Sequence, residues 1–162
     1  METFHESRLE YQDFGKLAPE ANAALLKLSA VAQASGLDRG LLELVKLRAS
    51  QINGCGFCVA LHVDAAEKLG VPREKLHMLA VWRETPAFDA RERSALAWTE
   101  ALTTIAAGVT DEIYAAARKA FSASELALLS STIVAINAWN RLGIAYRFTP
   151  PKFTAPALKA AS

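Results

Sequence analysis

The order of apolar and polar positions along the chain predicts helices throughout and no strand. Apolar residues return every three or four positions, the period of an α-helix with one buried face. No segment alternates with the period of two that is typical of a strand. Gly36, the Asn53-Gly54 pair, Gly70 and Gly108 interrupt the pattern where glycine suits a helix end. The predicted fold class is therefore all-α.

Capping residues divide this pattern into separate helices. Asp38, Asp89, Thr110 and Ser122 are each placed to cap a helix N-terminus. Asp89 and Ser122 are also followed three residues later by a glutamate, which forms a capping box. Pro72 suits the first turn of a further helix. The predicted helices cover approximately residues 20–34, 38–53, 55–70, 72–83, 89–106, 110–120 and 122–146.

This pattern predicts one domain, a single helical bundle, with two irregular ends. Residues 1–18 are polar with scattered aromatic residues and form a predicted N-terminal arm. Residues 19–148 form the helical domain, and residues 149–162, which begin with Thr149-Pro150-Pro151, form a proline-containing C-terminal tail. A chain of 162 residues that is 52% hydrophobic is long enough to bury the core of one domain.

Charge and hydropathy exclude several classes of partner. The 18 basic and 17 acidic residues give a net charge of +1 with no block of like charge, so the electrostatic surface of a nucleic-acid-binding protein is missing. The N-terminus lacks the layout of a secretory signal. The most apolar stretch, 126–139, falls short of the roughly 20 residues that a membrane span needs. We expect a cytoplasmic protein that binds small molecules or other subunits, and neither nucleic acid nor membranes.

The candidate chemistry lies between Glu43 and His62, a stretch that contains both cysteines of the chain. Cys55 and Cys58 form a Cys-x-x-Cys pair directly after the Asn53-Gly54 turn. A helix that begins at the pair places both sulfurs in its first turn, where unpaired N–H groups and the helix dipole stabilise a thiolate. We therefore expect the pKa values of both thiols to fall. Because residues three apart share a helix face, the pair can also form a disulfide.

His62 and Glu43 complete the candidate site. His62 follows Cys58 by four residues, so its imidazole is expected on the same face, within reach of a thiol directly or through one water. If the turn after Asn53 folds the preceding helix back, the carboxylate of Glu43 faces His62. A thiol, a base and an orienting acid form the arrangement used in nucleophilic catalysis. The candidate catalytic residues are Cys58, Cys55, His62 and Glu43, and we expect no cofactor or bound metal.

Other interpretations of the cysteine pair stay open. The two thiols can be inert packing residues. They can also bind zinc together with His62 and either Glu43 or His77, although structural zinc sites usually separate their ligand pairs by a loop. A thioredoxin-type site is disfavoured because its motif follows a strand, and none is predicted before Cys55.

The stretch from Leu47 to Cys58, which reads LRASQINGCGFC, resembles a family signature when it is taken together with His62. It is similar to the motif of the alkylhydroperoxidase AhpD-like proteins, within the carboxymuconolactone decarboxylase family. Further stretches resemble one branch of that family, so the similarity extends over about residues 8–150; these stretches are 82–84, 92–98 and 136–141. The resemblance implies an all-helical fold, assembly into trimers or hexamers, and reduction of peroxides by the cysteine pair.

The resemblance also implies a role for each candidate residue. By position, Cys58 matches the cysteine that attacks the peroxide, and Cys55 matches the resolving cysteine. Glu43 and His62 match the carboxylate and imidazole of the proton relay. One position departs from the family pattern, because the best-known members have a histidine where this chain has Phe57.

We therefore expect a thiol-dependent peroxidase that acts on a small-molecule hydroperoxide and is regenerated by an external dithiol reductant. One alternative is a lyase or isomerase of the carboxymuconolactone decarboxylase type, with His62 as base and the cysteines as bystanders. Another is a non-catalytic, redox-sensing oligomeric module. A homo-oligomer is expected because Trp139 and the last helix supply more apolar surface than so small a domain readily hides, and the resemblance favours a trimer or hexamer.

Overall fold

Helices make up most of the computed structural model, which describes residues 6–34 and 36–151, and no strand occurs within those ranges. The all-α prediction is confirmed. The second, fifth and sixth helices are each followed by a short 3-10 segment, at Ala32–Ala34, Leu79–Glu84 and Ile105–Ala107 respectively. The α-helices of the described residues number eight: α1 Tyr11–Leu17, α2 Pro19–Val31, α3 Arg39–Asn53, α4 Gly56–Lys68, α5 Arg73–Met78, α6 Ala90–Thr103, α7 Asp111–Ala120 and α8 Ala123–Tyr146.

Helix α3 lies at the centre of the bundle, packed against α4, α6 and α8. One apolar cluster joins it to α6, α7 and α8 through residues such as Leu42 and Leu129. A second cluster, which includes Leu47 and Leu96, joins it to α4, α5 and α6. A third and smaller cluster contains the two cysteines and Ile136 of α8. The cysteine pair therefore lies in the core, between α3 and α8.

Capping hydrogen bonds confirm four predicted N-caps, which are Asp38, Asp89, Thr110 and Ser122. The Asp38 carboxylate accepts a hydrogen bond from the backbone N–H of Leu41 at 2.7 Å. Complete capping boxes open α6 at Asp89 and α8 at Ser122. At the other end of α3, Gly54 adopts φ 75°, a left-handed conformation that reverses the chain before α4. This reversal makes α3 and α4 neighbours.

The prediction of one continuous helix over residues 72–83 is wrong in its second half. Helix α5 ends at Met78, and the 3-10 segment that follows contains Val81 at the non-helical φ of −121°. The guanidinium of Arg93, on α6, donates hydrogen bonds to three backbone carbonyls in and just after this segment. Because a distant side chain satisfies these carbonyls, the segment does not need the hydrogen bonds of a regular helix.

The N-terminal arm contains a helix that the sequence pattern did not predict. Residues 11–17 form α1, which packs against α2 and places the buried ring of Phe14 within 6.3 Å of the Trp139 ring and 6.0 Å of the Tyr146 ring. The backbone N–H of Arg8 also donates to the carbonyl of Tyr146 at 2.9 Å. Since these partners lie far along the chain, the periodicity of the arm itself gives little sign of the helix. Residues 1–5 of the arm and 152–162 of the predicted tail lie outside the described residues.

Within the described ranges, no single helix is long and apolar enough to cross a membrane. Helices α7 and α8 meet the length and composition requirements only when taken together, as a pair bent by 116°.

Candidate active site

The two cysteines lie at the start of α4, as the sequence predicts. Cys55 is the N-cap residue, and its sulfur accepts a hydrogen bond from the backbone N–H of Cys58 at 3.3 Å. Both are free thiols, and they are 1% and 3% exposed. The sulfur of Cys55 thus takes the place of the side-chain oxygen that usually caps a helix, and one of the first free N–H groups of α4 is satisfied by sulfur.

Burial and hydrogen bonding move the pKa values of the two thiols in opposite directions. The hydrogen bond from the Cys58 thiol is the main cause that lowers the pKa of Cys55 to about 7, against the opposing effect of burial. The same hydrogen bond, together with burial and the neighbouring charge, raises the pKa of Cys58. The expectation that both pKa values fall is therefore wrong for Cys58. The first negative charge of the pair resides on Cys55, while Cys58 holds the proton.

Helix α8 covers the cysteine pair with two residues that sequence reasoning missed. The side-chain amide of Asn140 hydrogen-bonds to the sulfurs of both Cys55 and Cys58. One turn later, a Cβ atom at Gly143 would lie 2.9 Å from the sulfur of Cys55, so α8 can approach this closely only because residue 143 has no side chain. The available signal was a polar residue and a glycine, three positions apart, in the last turns of the long helix.

The orientation of the Asn140 amide is determined by its other partners. Its oxygen accepts a hydrogen bond from the Asn53 amide at 2.9 Å, and its nitrogen donates to the Ser50 hydroxyl at 3.0 Å. The Ser50 hydroxyl in turn donates to the backbone carbonyl of Lys46. Because the oxygen of Asn140 is engaged by Asn53, the nitrogen is the group available to the sulfurs. Asn140 is fully buried, so it provides a fixed hydrogen-bond donor to the thiolate.

Glu43 and His62 meet across the turn between α3 and α4. The Oε2 atom of Glu43 lies 2.7 Å from Nδ1 of His62, and the Oε1 atom accepts a hydrogen bond from Nζ of Lys46 at 2.7 Å. The predicted approach of the carboxylate to the imidazole is confirmed, whereas Lys46 was not anticipated. Lys46 lies one turn after Glu43 on the same face of α3, a spacing that favours an ion pair.

The charge state of Glu43 determines which nitrogen of His62 carries a proton. Burial by itself raises the pKa of the Glu43 carboxyl, but the hydrogen bonds and charges of His62 and Lys46 outweigh burial and hold this pKa below its usual value. An ionised carboxylate can only accept hydrogen bonds. Nδ1 of His62 is therefore the donor, and Nε2 is the ring nitrogen left outside this contact.

A cavity of about 380 Å³ opens beside this group. The wall of the cavity includes Cys58, Glu43, Lys46 and His62, but not Cys55. Helices α1, α2, α3, α4 and α8 all contribute to its wall. The sulfur of Cys58 is therefore the one that a molecule in the cavity can contact.

Aromatic rings form one side of this cavity; they belong to Tyr11, Phe57, Trp139 and Phe148. The ring of Phe57 lies 5.5 Å from that of Tyr11 and 5.5 Å from that of Phe148, centroid to centroid. The indole N–H of Trp139 donates to the Ser29 hydroxyl of α2 at 3.1 Å. Phe57 stands where the best-known members of the resembled family have a histidine. In this chain it forms part of an apolar wall.

The arrangement of zinc ligands that includes His77 does not form in the described part of the chain. His77 is exposed on α5 and is absent from the cavity wall. Among residues 6–34 and 36–151, no group of three or more His, Cys, Asp or Glu side chains lies close enough together to hold a metal ion.

Comparison with known sequences identifies the family. The carboxymuconolactone decarboxylase family model matches residues 19–101, about half of the chain. The chain belongs to the carboxymuconolactone decarboxylase family. The uncharacterised protein YdfG of Bacillus subtilis is 33% identical over 131 residues, which are 80% of this chain and 89% of YdfG. The uncharacterised protein YnjA of Escherichia coli is 34% identical over 100 residues, 61% of this chain and 54% of YnjA.

Solved structures place the chain among the AhpD-like members of this family. Atu0492 of Agrobacterium tumefaciens, a protein of unknown function provisionally assigned to antioxidant defence as AhpD, is 37% identical with a TM-score of 0.86. That alignment covers 91% of this chain and all of Atu0492. The debrominase Bmp8 shares the fold at 21% identity and a TM-score of 0.77, over 86% of this chain and 75% of Bmp8. The predicted AhpD-like fold is confirmed.

Replacing Asn140 by aspartate should raise the pKa of Cys55. The Asn140→Asp variant has nearly the same shape, but it presents a carboxylate to the thiolate in place of an N–H donor. A nearby like charge disfavours ionisation, so the pH midpoint of alkylation should move upward by about one pH unit or more. The rate at which iodoacetamide alkylates Cys58, the cysteine that lines the cavity, measures this as a function of pH, because the two thiols share a proton and the first ionisation of the pair controls that rate.

The matched control is Asn137→Asp, one turn earlier on α8. Asn137 is also buried in the polar network, where it contacts Asn53 and Thr103 rather than the sulfurs. Its alkylation midpoint should remain near that of the parent protein. Equal midpoints in all three proteins would show that Asn140 does not stabilise the thiolate.

Adding one methyl group at Gly143 should destabilise the protein and disturb the cysteine pair. In Gly143→Ala the new Cβ meets the sulfur of Cys55 at 2.9 Å, so α8 or the sulfur must move. Overpacking of this kind costs about 1–3 kcal/mol, which urea denaturation of the reduced protein measures. In Gly56→Ala, the control, the nearest atom is 3.7 Å from the new Cβ, and stability should change little. Similar stability of the two variants would contradict the close packing inferred here.

The lowered pKa of Glu43 predicts a specific dependence of stability on pH. Because the folded-state pKa lies below the unfolded value of about 4.3, ionised Glu43 stabilises the fold above that pH, and the stabilisation is lost as pH falls through the folded-state pKa. The difference in the free energy of unfolding between the parent and Glu43→Gln should therefore be largest near neutrality and shrink in acid. Urea denaturation of both proteins from pH 7 down to about 3.5 tests this range, and a constant difference would contradict it.

Proposed function

We propose that this protein is a thiol-dependent peroxidase that reduces a hydroperoxide with the pair Cys58 and Cys55. The observation that carries the proposal is that the two cysteines differ in their access to the cavity and in the pKa of their thiols. Cys58 lines the cavity beside His62 and Glu43, while Cys55 lies behind it and holds the negative charge. The family resemblance of the same residues to the AhpD motif supports the same assignment.

The cycle begins with a proton transfer inside the pair. Cys55 is the more acidic thiol, but Cys58 is the one that faces the cavity, so the proton of Cys58 moves along their hydrogen bond to Cys55. The resulting Cys58 thiolate attacks the terminal oxygen of the hydroperoxide. A sulfur–oxygen bond forms, the oxygen–oxygen bond breaks, and the electron pair leaves with the alkoxide. This step gives a sulfenic acid on Cys58.

His62 delivers the proton that the alkoxide needs. An imidazole can take a proton from solvent through one ring nitrogen and donate it inside the cavity. Glu43 binds Nδ1–H, fixes the tautomer and stabilises the imidazolium, as the acid of a catalytic triad does. Glu43 is therefore a positioning residue, and Nε2 of His62 is the atom that carries the proton to the substrate.

The second half of the cycle forms and then reduces a disulfide. Cys55 attacks the sulfenic sulfur of Cys58, and the released hydroxide leaves as water with the proton that Cys55 had received. Overall, the anionic pair, one hydroperoxide and one proton give the disulfide, one alcohol and one water. An external dithiol then returns the pair to the reduced state by thiol–disulfide exchange.

Three further features of the proposal concern the setting of the enzyme. The partner is an external dithiol reductant, since the chain contains no third cysteine. The location is the cytoplasm, where thiols are kept reduced. The assembly is a homo-oligomer, a trimer or hexamer by family resemblance.

The proposal is tested by peroxide consumption with a panel of dithiol donors. The parent protein should turn over many times, and Cys58→Ser should consume no peroxide. Cys55→Ser should react once and leave a sulfenic acid on Cys58, detected by dimedone labelling and mass spectrometry. Exchanged behaviour of the two variants would reverse the assigned roles. Undiminished turnover in both would remove the cysteines from the mechanism and favour the lyase alternative, in which His62 is the base.

A second candidate is reductive dehalogenation of a small aromatic ring, favoured by the aromatic wall of the cavity. The debrominase Bmp8, which has the same fold, has been solved in a variant form with 2,3,4-tribromopyrrole. A dithiol can supply the two electrons, because an aryl bromide and two thiols give the arene, the disulfide and hydrogen bromide. Release of bromide from a bromopyrrole under the same conditions, without peroxide consumption, would favour this function over the first.

A further inference from the structure

Lys46 is the one charged residue of the cavity wall that the proposed reaction leaves without a role. Its side chain is 8% exposed and lines the same cavity as Cys58 and His62. The ammonium donates one hydrogen bond, to Glu43 at 2.7 Å, and has no second acceptor among the described residues. Since an ammonium carries three N–H donors, two of them are left for a molecule inside the cavity.

The surroundings of Lys46 determine what such a molecule must offer. The rings of Tyr11, Phe57, Trp139 and Phe148 form an apolar side of the cavity that suits a hydrocarbon body. A ligand body that fills this space expels water, and an ammonium stripped of acceptors is costly to bury. A ligand that fits therefore brings an oxygen acceptor to Lys46. An organic hydroperoxide has this composition, with an apolar body and two adjoining oxygens.

We infer that Lys46 is a catalytic residue that binds the leaving oxygen of the hydroperoxide, an inference that rests on the proposed function. As Cys58 attacks, negative charge accumulates on the oxygen that stays with the organic group. A hydrogen bond from a fixed ammonium strengthens as that charge develops, so it stabilises the transition state more than the bound substrate. Glu43 holds the ammonium in place, and His62 supplies the proton, so Lys46 stays charged through the cycle.

This role predicts that the importance of Lys46 depends on the basicity of the leaving oxygen. In a single-turnover experiment, the reduced protein is mixed with tert-butyl hydroperoxide, which releases a strongly basic alkoxide, or with perbenzoic acid, which releases a weakly basic carboxylate. Lys46→Met should slow the reaction with tert-butyl hydroperoxide by about 100-fold or more, the range for loss of one oxyanion donor. The reaction with perbenzoic acid and the rate of alkylation by iodoacetamide should change little.

Lys68→Met is the matched control. Lys68 also pairs with an acid one turn away on its helix, Asp64, but its side chain is 73% exposed and lies outside the cavity. Both oxidants should react with this variant as they do with the parent. Lys46→Met leaves the buried carboxylate of Glu43 without one of its partners, which can impair folding. The same comparison is therefore made between Glu43→Gln and Glu43→Gln combined with Lys46→Met, since neither protein contains that carboxylate. Far-UV circular dichroism checks the fold of each variant.

Equal slowing with the two oxidants, or no slowing with either, would overturn the role of Lys46. The ratio of the two rates is obtained from one oxidation of the reduced protein and needs no external reductant. Selective slowing of Lys46→Met with tert-butyl hydroperoxide, in a protein whose parent form does not turn over repeatedly, would therefore contradict the peroxidase proposal and leave the role of Lys46 supported. Multiple turnover with an unchanged ratio in Lys46→Met would give the opposite result.

Discussion

The contact between Glu43 and His62 is the constraint on which the candidate site depends. Burying a carboxylate is costly unless it is paired, and Glu43 lies in a helix whose neighbouring residues are buried. His62 and Lys46 each bind one of its two oxygens. The His62 contact joins α3 to α4 at a distance from the Gly54 turn that connects them. The helix pair is thus closed at both ends, which holds the cysteine pair of α4 against the core.

The second constraint is the close approach of α8 to the cysteines. Gly143 leaves room for the sulfur of Cys55, and Asn140 presents an amide donor whose orientation is set by Asn53 and Ser50. A fixed polar network in a low-dielectric interior stabilises charge more effectively than water-exposed groups of the same kind. The hydrogen bond from the Cys58 thiol is the main cause of the lowered pKa of Cys55, and Asn140 of α8, held in place by α3, adds to it.

Proteins that share this fold carry different names, and this agrees with the way the site is built. The structural relatives include an AhpD-type protein and a debrominase. Here the helical frame places a dithiol beside a cavity, and a shared fold leaves the chemistry to the groups that line such a site. In this chain those groups are the buried set of Glu43, Lys46 and His62 on one side and an aromatic wall on the other. Phe57 belongs to the wall, so the carboxylate, ammonium and imidazole of the cavity lining are confined to the first side.

The sequence by itself determined the helices, most of their caps, and the grouping of Cys55, Cys58, His62 and Glu43, because these features rest on contacts between residues close in the chain. Helical periodicity, capping boxes and the left-handed glycine at 54 act over a few positions. Only the tertiary structure decided the remainder. In the sequence, Lys46 has no feature that distinguishes it from an exposed lysine, and only the fold shows that it is buried beside the cavity. Helix α1 depends on the packing of its Phe14 ring against aromatic rings of α8. The opposite pKa shifts of the two thiols follow from the hydrogen bond between them, in a buried pair that α8 covers with Asn140 and Gly143, residues more than 80 positions away. Local spacing shows which groups can meet, but their charge and access depend on what the rest of the chain packs around them.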